Sequence, residues 1–559
     1  MNRSAPDGPG QTGDGPGGPL ARPAAGPGTA VVGLGEEPDM LVQDFSLRHA
    51  SWAVLNPLML KLVRYDDAWR PWPELAERIP SVDNGDRRTL DDGRVEVRWR
   101  LRRGIRWHDG APVTAHDALF THELLTATPP PYPHHTVIAA ISEMFVPRGD
   151  DHTLVVRYRA DEPFAPYEEW GTVLPRHLLA DAGLHDAGVR EGHPFLRAPV
   201  FHGPFRFAEW KQGDRITLTA AGPHPAGSPH LQRIEFRFYP GPAELRAAAL
   251  AGDVDVTDLT GFDTDDAAAL DAAGDALSVH RTPSLTWEHI DINLDGPVLG
   301  RREVRHALAH GIDRREIADG PHGGRHPIAD SWLPPRHPAA ADVVRYPYDP
   351  DRAEALLDKA GLRRGSDGLR VGPDGQPLEL DLLTTRPASP GGRWTASATR
   401  AEAARIVAAQ LRRVGVRVRV RALPSDEAFP LIRRRRFPHL AMFAWSMGLE
   451  TTGYLMWHSS KVPNDDEWYG INVSGWRCEE NDRLLDALIE EHRLERRYEL
   501  MRRQQRLWAE ELPSLPLYFP VSVTTAKRRL RGIRPVGVFG CYATWNSWEW
   551  HWAADAEAM

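Results

Sequence analysis

Four short constellations in the chain place reactive side chains at chemically useful spacings. His306 and His310 lie four apart on a helical pattern, the spacing that lets two imidazoles reach one metal ion, but no carboxylate sits between them in a His-Glu-x-x-His arrangement. A solvated helix face is the expected reading for that pair. His122-Glu123 begins like a zinc-protease helix, yet Thr126 stands where the second histidine belongs. His108-Asp109 resembles half of a catalytic triad, and no Gly-x-Ser-x-Gly nucleophile turn accompanies it. Cys478 and Cys541 are the only cysteines, which excludes a thiolate zinc cluster and allows at most one disulfide. No catalytic residue, metal site or cofactor is therefore expected.

The segment around His108-Asp109 is better explained by what it positions. Val95, Val97, Trp99 and Leu101 alternate with Glu96, Arg98 and Arg100, the period of a strand with one buried face. Trp107-His108-Asp109-Gly110 then turns the chain, and Thr114 precedes Asp117 by the spacing of a capping box, which predicts a helix through Leu119 and Leu125. The run from Leu101 to Phe120, LRRGIRWHDGAPVTAHDALF, resembles the signature of the family 5 solute-binding proteins of ABC transporters, the oligopeptide, dipeptide and nickel binders. Further blocks resemble the same family: Trp72-Pro73-Glu74-Leu75-Ala76, His202-Gly203-Pro204-Phe205, Val304-Arg305 through Ile312-Asp313-Arg314, Tyr348-Asp349-Pro350, and Pro513 through Tyr518. Together they cover residues 29 to about 525.

Length and composition agree with a large globular chain. At 559 residues, with 41% hydrophobic and 26% charged residues, two to four units are expected, and no apolar run reaches the length of a membrane-spanning helix. A net charge of −9 gives no broad basic surface, so nucleic acid is not an expected partner. The Gly/Pro-rich residues 1–28 are expected to be disordered. Gly33-x-Gly35 is followed by Pro38 where a dinucleotide loop needs its third glycine, which removes that reading.

Pattern alone predicts a mixed α/β protein. The resemblance implies more: an α/β, two-lobed periplasmic-binding-protein-like fold of class II, with an extra subdomain in the first lobe. Lobe I would span 29–288, including the subdomain at about 67–205; lobe II would span 289–515, and 516–559 would return to lobe I. It also implies the substrate-binding component of an ABC importer, a monomer that captures a peptide or other small solute and delivers it to a permease and its ATPase. An extracytoplasmic place is implied, yet no basic, apolar and cleavable export signal is visible at the start. Either that signal is missing from this chain, or this is an intracellular member co-opted as an enzyme or ligand sensor.

The resemblance also nominates ligand-binding residues. Trp445 ends a strand that, in the family's peptide binders, reaches the crevice between the lobes, and those relatives carry Asp three residues later to pair with the ligand's amino group. Here Gly448 occupies that position, so only Glu450 offers a nearby counter-charge. An unpaired buried ammonium is costly, which favours a neutral, aromatic or differently charged solute. Among the 19 tryptophans, Trp52, Trp287, Trp332 and Trp394 fall near loops the family turns toward the crevice, as does Asn293. Trp548, Trp550 and Trp552 alternate, as on one face of a strand.

Overall fold

The computed structural model describes residues 28–46, 48–129, 138–160, 173–225, 227–257, 269–320, 326–372, 375–386, 395–449, 452–464, 470–537 and 542–553. The Gly/Pro-rich start, Trp394, Glu450 and Cys541 lie outside them. Three sheets carry the architecture. A seven-stranded sheet is centred on Thr29–Leu34, which pairs in parallel with Arg233–Phe238 and Val256–Thr257. Gly33 is required there, because a Cβ would stand 2.5 Å from Leu245 on the covering helix Pro242–Ala251. That helix stops where Gly252 takes φ +79°, a conformation that suits glycine.

A five-stranded sheet forms the second lobe, in the order 417–424, 379–386, 440–446, 286–292 and 514–518. The helix Thr395–Arg413 packs on it through Ala403, Ala404, Val407 and Leu411, and Gly415 at φ +90° turns the chain into the strand Arg417–Pro424. A four-stranded sheet from Arg87–Thr89, Val95–Arg100, Thr153–Tyr158 and Ile141–Phe145 is the added subdomain.

The chain passes between the two large sheets twice. Leu277–Pro283 belongs to the first and Thr286–Ile292 to the second; Ser514–Tyr518 belongs to the second and Val521–Lys527 to the first. The crossings thus fall at residues 284–285 and 519–520, not at 288 and 515. They are bound to each other, since both the Ser284 amide (3.1 Å) and its hydroxyl (2.6 Å) donate to the Pro520 carbonyl. An apolar core sheathes them: Leu285 and Phe519 pack with Trp69, Trp545 and Val536 of the first lobe and Trp287, Trp332 and Trp508 of the second.

The signature segment is a joint. Asp117 accepts from the Thr114 amide at 2.8 Å, closing the capping box that opens Ala115–Ala127, and its other oxygen accepts from Arg176 N at 3.0 Å. His108 donates no proton to Asp109; its amide bonds Phe201 O and its Nε2 meets Gly203 O at 2.9 Å, while Asp109 pairs with His177. Gly203 has no room for a Cβ, which would lie 2.4 Å from the Leu58 carbonyl carbon. Burial pushes His108 down to about 4 and His202, packed edge-on against Trp107, to about 3.

Two stretches depart from their sequence patterns. The apolar run 55–65, LNPLMLKLVRY, has the spacing of a helix, yet it is not one helix: His49–Leu58 is helical, Met59 turns to extended backbone, and Val63–Tyr65 pairs with Pro71–Pro73. The Trp548/Trp550/Trp552 alternation is not a strand face either, because helical turns run over Ala543–Glu549 and only His551–Trp552 pairs as a strand. Trp548 and Trp550 are nonetheless core residues.

Candidate functional site between the lobes

The floor of the space between the lobes is made where strands meet the crossings. Thr286–Ile292 and Leu440–Ser446 run antiparallel with Trp287 opposite Trp445 and His289 opposite Phe443. Period two brings these four rings to one face. Trp287 stacks on His289 at 3.8 Å between centroids, His289 meets the edge of Phe443 at 4.6 Å, and Phe443 meets Trp445 at 5.2 Å, near perpendicular. Trp445 is the half-buried end of this ladder. Beyond it Thr286 and Ser446 share a 3.0 Å hydroxyl contact, and Met447 N donates to Leu285 O, fixing the strand exit to the first crossing.

The opposite face is apolar through Ile290, Ile292, Leu440 and Met442, except for one sealed ion pair at Glu288. Glu288 receives two bonds from Arg400, at 2.5 and 2.9 Å, and Arg400 also donates to Thr385 Oγ1 at 2.6 Å. Burial alone would lower the Arg400 pKa, but Glu288 holds it above the ordinary guanidinium value. Burial, with the Glu288 charge beside it, raises the Tyr518 hydroxyl well above the usual phenol range. This pair ties the helix Thr395–Arg413 to the strand that leaves the first crossing.

Of the nominated residues that are described, only Trp445 presents a partly open side chain at this exit; Glu450 and Trp394 lie outside the described residues. Gly448, three residues on, is exposed. Trp287 is fully buried behind Trp445, wedged between Trp457 and Trp508, so a solute does not reach it in this conformation. Trp332 is equally enclosed, its indole N–H donating to Gln504. Trp52 is a lobe I core residue that donates to Ser46 O, with Lys61 Nζ 5.5 Å from its ring centre. Asn293 stands at the other end of its strand, about 20 Å along from Trp287 at roughly 3.3 Å per residue. There it pins a turn through Phe437 O and Arg435.

His306 and His310 are not a free helix face. They clasp the Tyr346 ring, His306 Nε2 lies 2.8 Å from Glu510 O, and His310 Nδ1 lies 2.8 Å from Pro347 O. Among the described residues no group of three or more His, Cys, Asp and Glu side chains is arranged to hold a metal.

One feature escaped the sequence reading. A cavity of about 510 Å3 opens between the lobes, walled by Tyr65, Trp69, Ile79 and Val82 on the first-lobe side and by His337, Leu449, Tyr498 and Met501 on the second. Its walls come from separated stretches of chain, none of which carries a pattern of its own. At its edge Arg87 of the subdomain donates to His492 Nδ1 at 2.7 Å, a direct contact between the lobes away from the crossings.

Two α/β lobes, linked by two adjacent crossings above a shared crevice, are the architecture of a two-lobed binding protein. The chain belongs to family 5 of the bacterial extracellular solute-binding proteins, whose model matches residues 70–466. It is 24% identical over 514 residues to the oligopeptide-binding protein AppA of Bacillus subtilis, covering 91% of this chain and 89% of that protein. The structure of that AppA in complex with a nonapeptide superposes with a TM-score of 0.64 at 22% identity, over 94% of this chain and 99% of that one. NikZ of Campylobacter jejuni in complex with Ni(L-His) gives a TM-score of 0.67 at 21% identity, over 94% and 100%. Members of the family bind peptides or small ligands and work with ABC permeases. Among the described residues no helix is long and apolar enough to cross a membrane.

Proposed function

We propose that this protein captures a peptide-like or other small solute between its lobes and delivers it, as a monomer outside the cytoplasm, to an ABC permease and its ATPase. The observation that carries the reading is the double crossing with Trp445 at the strand exit beside it. A solute that touches both lobes only when they are closed shifts the lobe equilibrium by its differential affinity, and no covalent chemistry is needed. A micromolar site supplies about 8 kcal/mol, part of it spent on closure.

Gly448 narrows the class. Where relatives of the peptide-binding type would set a carboxylate, this chain has no side chain, which favours a solute without a free ammonium at that end. Glu450 and Trp394 remain proposed contacts alongside Trp445. The test is a thermal-shift and calorimetric screen over free and N-acetylated peptides, opines, sugars and metal chelates. One class should raise the unfolding midpoint, with acetylated peptides no weaker than free ones, and small-angle scattering should show compaction with that ligand. No shift from any solute, together with chemical conversion of a candidate, overturns the reading.

A further inference from the structure

We propose that the cavity beside the crossings is a second binding site, for a neutral, flat aromatic molecule of about one or two rings. Its volume of about 510 Å3 lies within the range of small-molecule pockets. Its walls offer the half-buried rings of Tyr65 and Tyr498, backed by the buried Trp69, with aliphatic fill from Ile79, Leu449 and Met501, a lining that rewards stacking and apolar burial.

The charge around it argues against an ionic ligand. Inside, the two imidazoles and the guanidinium are bound to other groups of the protein. His337 Nε2 is bound to Leu449 O and its Nδ1 accepts from Ala339 N; His492 is bound to Arg87; Arg497 donates to Leu488 O and Glu491 O. At the mouth, exposed Arg493 and Arg496 stand against Asp83 and Glu495, two charges of each sign. Both histidines are held down at about 4, His337 by burial and His492 by burial and the neighbouring Arg87, so neither imidazole adds a charge near neutrality, and the one inner cation, Arg497, is turned to two backbone carbonyls. Because the two walls belong to different lobes, an occupant favours this lobe spacing.

The inference does not rest on solute capture at Trp445, and the test separates the two. Fluorine NMR titration of the full chain with 5-fluoroindole should show saturable binding at submillimolar probe. Val82→Trp, which fills the cavity from the first-lobe wall, should weaken it at least tenfold, and Tyr498→Ala, which removes a stacking ring from the other wall, should weaken it as well. If Val82→Trp does not fold by circular dichroism, Ile79→Trp takes its place. Trp445→Ala should leave probe binding unchanged. No saturable binding by the wild type, or equal binding by the filled variants, overturns the proposal; loss of probe binding in Trp445→Ala overturns it too, by making the cavity part of the solute crevice.

Discussion

Trp287 and Trp445 face each other across one strand pair, yet their environments separate their roles. Trp287 is enclosed by other rings, whereas Trp445 ends the ladder half open. Trp287→Ala should cost about 3–5 kcal/mol of stability, the range for emptying a large core site. Trp445→Ala should cost less than that and instead lower solute affinity at least tenfold; denaturant unfolding and calorimetry on the two variants check the contrast. Glu288→Gln leaves the Arg400 guanidinium buried without its charge partner, for an expected loss of about 3–5 kcal/mol in urea unfolding. Little of this was legible in the sequence. Alternation places Trp287 and Trp445 on one face, but it does not say which layer covers that face, so a core ring and an open one look alike.

At the scale of elements, local chemistry was far more readable. The Thr114/Asp117 spacing, the Gly252 stop and the Gly415 turn each mark a boundary that the backbone respects, because caps and left-handed glycines act within a few residues. Thr114→Ala should cost about 1 kcal/mol. Asp117→Ala should cost more, since its second oxygen also holds Arg176 N, and comparison of the two unfolding midpoints checks the order. The end of the helix His49–Leu58 inside the apolar run 55–65 leaves no mark in the sequence, because Leu58 to Leu60 all lie buried in the lobe I core, and burial erases the periodicity that distinguishes a helix end from a loop. The cavity between the lobes was invisible for the opposite reason, because its walls meet only after distant segments have folded.

For the whole molecule, the fold follows from motif blocks spread along the chain, and its stability should carry a pH signature. His108, His122 and His337 are held at about 4 and His202 at about 3, chiefly by burial, below the value of 6.5 for an exposed imidazole. The unfolded chain therefore takes up protons that the folded one refuses. Stability from these groups is complete above about pH 6.5 and drains away as pH falls toward about 4. Each enclosed histidine, such as His202 or His337, steepens the loss by up to about 1.4 kcal/mol per pH unit. Thermal unfolding between pH 7.5 and about 4.5 should show a falling midpoint before the carboxylates titrate. Replacing His202 and His337 with Gln should flatten that fall.

Ser284 binds the Pro520 carbonyl, and that bond brings the two links between the halves side by side. Two neighbouring tethers permit bending about the line that joins them and resist twisting or sliding, so relative travel of the halves reduces to a single angle. Spin labels placed at any two well-separated pairs of positions across the gap should then report distances that change in lockstep, whatever guest is added.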